Sequence, residues 1–264
     1  MDSQNPLNGG RNRRNVLRVI GKAAAAGTAV AVMMSSSAKA AGRHGGDRTP
    51  LCLLRGTRVE TDLGGVAVED LKIGDLVRTQ DGDFKPVKWV GHRSYRRTPG
   101  RHWWKHVDPV RVQRSALADN VPSRDLYLSP AHALFIDGHL IAAHLLVNGT
   151  TIAQGTFDGD RIDYFHVECE SHQVIFAEGA AVETLRSEAV IENFANFAER
   201  ERLYGPVVPT KAALYAPEAG YDGMGEHAAA LARQFASAIV DLRDPVQVAY
   251  DKMAARARDM ASAV

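Results

Sequence analysis

Short apolar runs alternate with turn sequences along the middle of the chain. Val66–Val68, Ala133–Ile136 and Val174–Ala177 are three such runs, none longer than four residues. Turn sequences that contain glycine separate the runs, at Asp62–Gly65, Asp81–Asp83, Asp137-Gly138, Asn148-Gly149 and Asp158-Gly159. Short strands that end in a turn after roughly 8 to 15 residues are typical of antiparallel sheets. The pattern therefore predicts an all-β domain over residues 52–187.

Helical spacing replaces this pattern in the last third of the chain. Residues Ser187–Phe194 are predicted to open a short helix, and the Gly- and Pro-rich stretch 205–225 is typical of a linker. Apolar residues then recur three or four positions apart over 226–243, and a second apolar run follows Pro245, which ends the first. We expect a helical C-terminal extension over residues 188–264 that packs on the β domain or on a partner.

The first forty residues have the layout of an export signal. Arg13-Arg14 precedes a weakly apolar run, Ala23–Met34, and a small-x-small cleavage site follows at Ala38–Ala40. A run of this length is too short to cross the ~30 Å hydrocarbon core of a bilayer. We therefore predict a twin-arginine-like signal peptide over 1–40, a flexible lead-in over 41–51, and export to the periplasm or the exterior. The general secretory route and a disordered basic tail are the alternatives.

Charge sharpens the picture of the mature chain. The whole chain has a formal net charge of +1, with 32 basic and 31 acidic residues. Six of the basic residues but only one acid lie in 1–40, which leaves 26 basic against 30 acidic side chains in 41–264. This acidic excess is a poor match for generic nucleic-acid binding. No later stretch approaches the roughly 18 consecutive apolar residues of a transmembrane helix, so we expect no membrane span in the mature chain.

Candidate chemistry is concentrated in three stretches, Cys52–Thr57, Leu128–Phe135 and Phe165–Gly179. Together they resemble the blocks of the Hint module, which is shared by Hedgehog C-terminal domains, inteins and bacterial intein-like proteins. In chain order, the matching features are C-x-x-x-G-T from Cys52 to Thr57, L-x-x-G-D-x-V from Leu71 to Val77, Ser129-x-x-His132 for T-x-x-H, and Val167…His172…Gly179 for the late block. The resemblance covers residues 52 to about 187 and is closest to the compact bacterial versions without an endonuclease.

The resemblance implies both a fold and a reaction. The fold is a horseshoe of short β-strands with pseudo-two-fold halves. The reaction is attack by Cys52 on its own upstream peptide, which converts the Leu51–Cys52 amide to a thioester, since a thiolate is a good nucleophile near neutral pH. The expected roles are acid/base for His132, orientation of the scissile peptide for Ser129, and assistance for His172. The partners would be the protein's own peptide 41–51 and an external nucleophile, namely water, a thiol or an amine.

One departure from the family pattern limits this chemistry. Splicing needs a terminal His-Asn, but the matching place, Ala181–Leu185, contains no asparagine. We therefore expect N-terminal cleavage or transfer without splicing, as a self-acting reaction rather than enzyme turnover. A catalytically silent Hint scaffold with a binding or structural role is the alternative. Twin-arginine export carries folded proteins, so a reactive module would have to act slowly or on a trigger to avoid losing its own signal.

Three further possibilities concern other residues. In an oxidising compartment Cys52 and Cys169 could form a disulfide, which would block the nucleophile. His102 and His106 have helical metal-ligand spacing but no glutamate follows the first histidine, so we expect no metal site. The Arg-, His- and Trp-rich stretch 92–106 could instead contact an anionic surface or a glycan. No cofactor is expected.

Overall fold

The structure, a computed structural model, describes residues 51–155, 157–185, 188–206, 214–219 and 244–262. The predicted signal peptide, nearly all of the lead-in and the predicted helix over 226–243 lie outside these residues. Fifteen strands occur within them: β1 (Leu53–Leu54), β2 (Arg58–Thr61), β3 (Gly64–Ala67), β4 (Leu76–Arg78), β5 (Phe84–Pro86), β6 (Trp89–Arg96), β7 (Val110–Val112), β8 (Leu126–Leu128), β9 (Ala133–Ile136), β10 (His139–Ala142), β11 (Ile152–Gln154), β12 (Arg161–Glu168), β13 (Val174–Ala177), β14 (Ala180–Glu183) and β15 (Glu218–Ala219).

The strands form two sheets. The first has the order β11-β7-β8-β1-β12-β6, and the second has the order β15-β10-β9-β14-β13-β2-β4-β5, with β3 paired to β2. Strands β10 and β15 pair in parallel, and the other described pairs are antiparallel. The predicted all-β architecture is confirmed.

The short run Pro86–Val90 is divided between two strands. It follows the Asp81–Asp83 turn and has the composition of one strand, but β5 ends at Pro86 and β6 begins at Trp89. The chain passes from the second sheet to the first between these residues, where Lys88 N–H donates to the carbonyl of Glu168. Proline lacks an N–H and therefore suits the end of an edge strand. The pattern of apolar residues does not indicate where a chain passes from one sheet to another.

Two α-helices occur among the described residues, α1 (Phe197–Tyr204) and α2 (Pro245–Ser262), along with 3₁₀ turns at Val68–Asp70, Ala143–Leu146 and Glu188–Asn193. Helix α2 starts at a proline, whose missing N–H is not needed in the first turn. Its buried residues Ala249 and Met253 join the larger hydrophobic core of the β domain. The expected C-terminal helix is therefore present and packs on the β domain. No helix in the described ranges is long and apolar enough to cross a membrane.

Strand β1 separates two hydrophobic clusters. Leu53 belongs to the larger cluster, whereas Cys52, one residue earlier, belongs to a second cluster that includes Trp89 and Tyr164. Successive side chains of an extended strand point to opposite faces, and Cys52 directly precedes β1. The sulfur is thereby buried in its own apolar environment.

Candidate active site

The residues that flank Cys52 are set by the pairing of β1. This strand lies between β8 and β12 and is antiparallel to both. Continuing both registers back by one residue sets Cys52 opposite Ser129, which follows β8, and opposite His166 within β12. Directly opposite residues of antiparallel strands share a face of the sheet. The three side chains therefore converge on one face.

Ser129 holds both backbone polar groups of Cys52. The Cys52 N–H donates to Ser129 Oγ at 2.7 Å, and the Ser129 N–H donates to the Cys52 carbonyl at 2.9 Å. Both residues are fully buried. The nitrogen held by the hydroxyl belongs to the Leu51–Cys52 peptide, so Oγ contacts the atom that would become the leaving amine.

His132 is carried by a tight turn that begins at Ser129. The His132 N–H donates to the Ser129 carbonyl at 3.0 Å, and Pro130 occupies the second position, where its fixed φ favours such turns. The imidazole is 1% exposed and its ring centroid lies 5.1 Å from that of His166. The turn thus brings a second buried imidazole next to the one on β12.

His166 is a candidate site residue that the sequence-based assignment missed. It is fully buried on β12, beside His132 and across from Cys52. The available signal was a histidine within the otherwise apolar run Tyr164–Val167, at an inward-facing position of its strand. No local pattern indicates that this strand pairs with β1.

Burial controls the protonation of the Cys52 thiol. Desolvation raises the pKa of the thiol far above its usual value, and it outweighs the opposing effects of the Arg93 charge and a hydrogen bond with the Leu51 backbone. The sulfur is therefore a neutral thiol at neutral pH, not the ready thiolate that the sequence suggested. Nucleophilic attack at this site requires a base to remove the proton.

Apolar side chains surround the sulfur. The buried members of its cluster are Trp89, Val107, Ile162, Tyr164, Leu185, Ile191 and Phe194. Tyr164 also donates its hydroxyl hydrogen to the Val107 carbonyl at 2.7 Å, so its polar atom is satisfied within this aromatic wall. Ile191 and Phe194 come from the chain beyond the β domain, so part of the wall is supplied by the C-terminal extension.

Residues 188–204, which we call the covering segment, close this face of the site. Phe194 packs edge-on against Trp89, with ring centroids 5.5 Å apart, and its ring centroid lies 6.4 Å from that of His166. Gly91 permits this approach, because a Cβ at that position would lie 2.8 Å from the Phe194 ring. The Phe194 ring therefore packs on β6 at Gly91, the residue that pairs with His166 of β12.

The covering segment is fastened to β6, the last strand of its sheet. Ala195 N–H donates to the His92 carbonyl at 2.7 Å. The Asn196 side chain accepts from the His92 N–H at 3.0 Å and donates to the Val90 carbonyl at 2.9 Å. These bonds satisfy backbone groups that an edge strand otherwise leaves unpaired.

A buried ion pair anchors helix α1 of the same segment. The Arg200 guanidinium donates two hydrogen bonds of 2.8 Å to the Glu168 carboxylate, and both residues are 6% exposed. Two parallel bonds of this kind fix geometry as well as charge. Tyr204 OH donates to the Lys88 carbonyl at 2.6 Å and completes the attachment.

His172 lies in a separate polar group. Its Nε2 is 3.7 Å from Glu183 Oε2, with both side chains fully buried, and its Nδ1 accepts from the Tyr215 N–H at 2.9 Å. An accepting Nδ1 assigns the neutral-ring proton to Nε2, which faces Glu183. Glu183 also accepts from the Ala133 N–H at 2.8 Å. His172 is thus linked to the turn of His132 through Glu183, and not by a described contact with Cys52.

The two cysteines are separate. Both are free, buried thiols, so the disulfide that the sequence left open does not form. Cys169 belongs to the larger core cluster and Cys52 to the other. Burial, helped by the Glu168 charge, raises the pKa of the Cys169 thiol to about 12.

His102 and His106, whose spacing would suit a metal only on a helix, lie outside the helices of the described residues. Among the described residues, no three His, Cys, Asp or Glu side chains are grouped as metal ligands would be. His106 instead stacks on Trp104, with ring centroids 5.9 Å apart and planes 10° apart.

Comparison with known proteins identifies the family. The sequence profile of the Hint domain matches residues 51–189, just over half of the chain, and the chain therefore belongs to the Hint domain family. The resemblance inferred from the sequence blocks is confirmed by this match, and the strands of the structure agree with the all-β Hint fold. Among curated protein sequences, none matches the chain.

Solved structures that resemble about half of the chain were also found. The MchDnaB-1 intein is 14% identical, covering 50% of this chain and 99% of its own, with a TM-score of 0.35. A bacterial intein-like domain from Clostridium thermocellum is 12% identical, covering 52% and 99%, with a TM-score of 0.35. A DnaB intein from Synechocystis sp. PCC 6803 is 9% identical, covering 50% and 98%, with a TM-score of 0.33.

Proposed function

We propose that this protein cleaves or transfers its own N-terminal peptide at Leu51–Cys52 through a thioester. The Cys52 thiol loses its proton and the sulfur attacks the Leu51 carbonyl carbon. The C–N bond breaks, the nitrogen gains a proton, and Leu51 is left as a thioester on Cys52. Water, a thiol or an amine then attacks the same carbonyl carbon, and the sulfur leaves and recovers its proton.

The hydrogen bond from Cys52 N–H to Ser129 Oγ carries this proposal. At 2.7 Å, the hydroxyl is in contact with the nitrogen that must be protonated as the amide breaks. A preorganised polar group at the reacting bond lowers the barrier because it needs no rearrangement during the reaction. This role also gives a reason for the presence of a fully buried serine, rather than an apolar residue, at position 129.

Two imidazoles supply the proton transfers. His132 and His166 lie next to each other, both buried, and a neutral imidazole can take the thiol proton while an imidazolium delivers one to the amine. We assign the acid/base role to His132. His172 assists from a distance, through the Glu183 carboxylate that holds the Ala133 N–H at the end of the His132 turn.

The reaction stops at cleavage or transfer. Ala181–Leu185 has no asparagine that could cyclise, and Thr184 there is tied to Gln173 by a hydrogen bond of 2.8 Å. The part of the chain from Cys52 onward would therefore remain in one piece.

We further propose that the protein is exported before it reacts. The signal-like residues 1–40 precede the scissile bond, so an early cut would separate the module from its signal. A neutral thiol under the covering segment supports a slow reaction, and a slow reaction leaves time for export.

Intact-mass spectrometry of the purified full-length chain tests the reaction. With dithiothreitol or hydroxylamine, we expect a fragment that begins at Cys52 and ends at Val264, formed faster than without the added nucleophile. Cys52→Ala, which keeps the peptide but lacks the sulfur, should stay intact. An unbroken wild-type chain after prolonged incubation would overturn the proposal, as would equal cleavage of Cys52→Ala.

The same experiment separates the second candidate, a silent Hint scaffold with a binding or structural role. The strongly raised pKa of the fully buried Cys52 thiol favours this candidate. It requires that wild type and Cys52→Ala remain equally intact under every condition.

A further inference from the structure

Acidic residues are missing from a long stretch that includes β6 and the loop after it. Between Asp83 and Asp108 there is no Asp or Glu. The same stretch contains seven basic residues and three histidines: Lys85, Lys88, His92, Arg93, Arg96, Arg97, Arg101, His102, Lys105 and His106. The imbalance is local, because residues 41–264 as a whole are acidic.

Three neighbouring arginines of this stretch have no carboxylate partner among the residues that the structure describes. Within the described part of the chain, no ion pair includes Arg96, Arg97 or Arg101. Seven other arginines do pair with carboxylates: Arg55, Arg78, Arg111, Arg124, Arg161, Arg200 and Arg256. Uncompensated guanidinium groups side by side repel each other, so an anion between them would be stabilising.

The three arginines line one concave site. A cavity of about 490 Å³ is bordered by Arg96, Arg97, Thr98, Arg101, His102, Trp103 and Trp104. No carboxylate is part of this lining. Its volume lies in the range of small-molecule sites, roughly 300–1,000 Å³.

The wall of the cavity is fixed in place. Trp103 donates its indole N–H to the Gly159 carbonyl at 3.1 Å. The Arg97 N–H donates to the Asp160 carbonyl at 2.8 Å, and the Arg97 guanidinium donates to the Asp158 carbonyl at 3.3 Å. These bonds join the loop to the chain ahead of β12. The site is therefore preformed, which lowers the entropy lost on binding.

An exposed aromatic face completes the site. Trp104 is 63% exposed, and only one face of its ring is covered, by the stacked ring of His106. The exposed indole face of Trp104 can pack against an apolar face of a ligand, while the neighbouring arginines contact charged groups at the ligand's edge.

We propose that this cavity binds an acidic oligosaccharide, of the uronic acid type. Arginine forks match the planar geometry of a carboxylate, and the Trp104 face suits the apolar face of a sugar ring. The cavity limits the ligand to a few sugar units. An extended polyanion such as a nucleic acid would run from the loop onto the acidic remainder of the protein, and a flat membrane surface does not enter a concave site.

Tryptophan fluorescence titration of the full-length Cys52→Ala protein with trigalacturonate tests the proposal. This background removes the cleavage reaction, so the outcome does not depend on the proposed function. We expect saturable binding that weakens with added salt, and no saturation with neutral maltotriose. The triple variant Arg96→Gln, Arg97→Gln, Arg101→Gln should weaken binding at least about tenfold, because it removes three charge-assisted contacts.

A second triple variant provides the matched control. Arg114→Gln, Arg202→Gln and Arg258→Gln remove the same charge from three exposed arginines outside the cavity. This control should bind within about twofold of the parent. Trp104→Ala should also bind trigalacturonate more weakly. Its affinity is measured by calorimetry, because the substitution removes a fluorophore that the fluorescence titration uses.

Four results would overturn the proposal. They are absence of saturable binding, equal weakening in both triple variants, undiminished binding by Trp104→Ala, and tighter binding to oligothymidylate or to phosphatidylserine vesicles than to trigalacturonate. The last result would assign the patch to nucleic acid or membrane instead.

Discussion

At the scale of single residues, the site depends on Ser129, because one side chain serves both the backbone and the proposed reaction. In Ser129→Ala the Cys52 N–H remains buried without its acceptor. Such a loss costs about 1–3 kcal/mol of the free energy of unfolding. We also expect the rate of Leu51–Cys52 cleavage to fall about a hundredfold, since a group held at the reacting bond is removed. Urea unfolding and the time course of fragment formation measure the two effects.

Ser129→Thr separates loss of the hydroxyl from general destabilisation of the Ser129–His132 turn. Threonine keeps the hydroxyl and adds a methyl group to a fully buried position, so stability should fall while cleavage survives better than in the alanine variant. If Ser129→Ala cleaves at the wild-type rate, the hydroxyl has no part in the reaction.

At the scale of elements, the covering segment decides whether reagents reach the Cys52 sulfur. Phe194 contributes the ring that packs on Trp89 and beside His166. We predict that Phe194→Ala raises the rate at which a thiol reagent labels Cys52 by at least about tenfold, because the segment then opens locally more often. Labelling is measured in a Cys169→Ala background, so that Cys52 is the only thiol that can react with the reagent.

The matched control lies on the same segment. Leu203 is 47% exposed, and Leu203→Ala should leave the labelling rate near that of the parent. Phe194→Ala also removes core packing, at a cost of about 3–5 kcal/mol, so the labelling rate is measured against denaturant concentration. A steep dependence, equal to that of global unfolding, would contradict a local opening of the covering segment.

Individual strands show what the sequence could predict. Ala133–Ile136 and Val174–Ala177 have the bounds that their apolar runs predict, because a glycine turn limits each run on one side. The short helix predicted to open over Ser187–Phe194 is a 3₁₀ turn at Glu188–Asn193, and the α-helix of this region, α1, begins only at Phe197. Its eight residues, FAERERLY, have no side-chain cap at Asn196, and tertiary bonds such as Arg200–Glu168 hold it in place instead.

The candidate site likewise combines residues that the local sequence reveals with residues that only tertiary contacts bring into place. Cys52, Ser129 and His132 belong to sequence blocks whose spacing is visible in one dimension. His166 and the covering segment act through pairings between distant parts of the chain, and register between strands is set by the folded sheet rather than by a local pattern. The neutral state of the thiol likewise follows from burial, which only the three-dimensional packing reveals.

At the scale of the whole molecule, the C-terminal extension completes both hydrophobic clusters. Ile191 and Phe194 join the cluster around Cys52, whereas Ala249 and Met253 of α2 join the larger core. A cut at Leu51–Cys52 would remove residues that precede β1 and would leave these contacts in place. The proposed reaction would therefore release the N-terminal peptide from a module that stays folded.

The two buried thiols also predict how the stability of the molecule depends on pH. Burial raises the pKa of Cys52 and raises that of Cys169 to about 12, both from an ordinary value of 9.0. Above pH 9 the unfolded chain therefore releases protons that the folded chain keeps, and the free energy of unfolding falls as pH rises. Below pH 9 both states hold these protons, so this contribution is fully present.

Each protonated thiol changes the free energy of unfolding by up to ~1.4 kcal/mol per pH unit in this window. The two together should lower it by about 3 kcal/mol between about pH 9 and pH 10.5. Urea unfolding of wild type and of Cys52→Ala/Cys169→Ala at the two pH values measures this difference, and the contributions of lysines and tyrosines cancel in the comparison. Cys52→Ala alone, which cannot cleave itself, should show about half of the reduction. An equal pH dependence in wild type and the double variant would mean that the thiols are not desolvated in the folded protein, and the case for a covered, slow nucleophile would be lost with it.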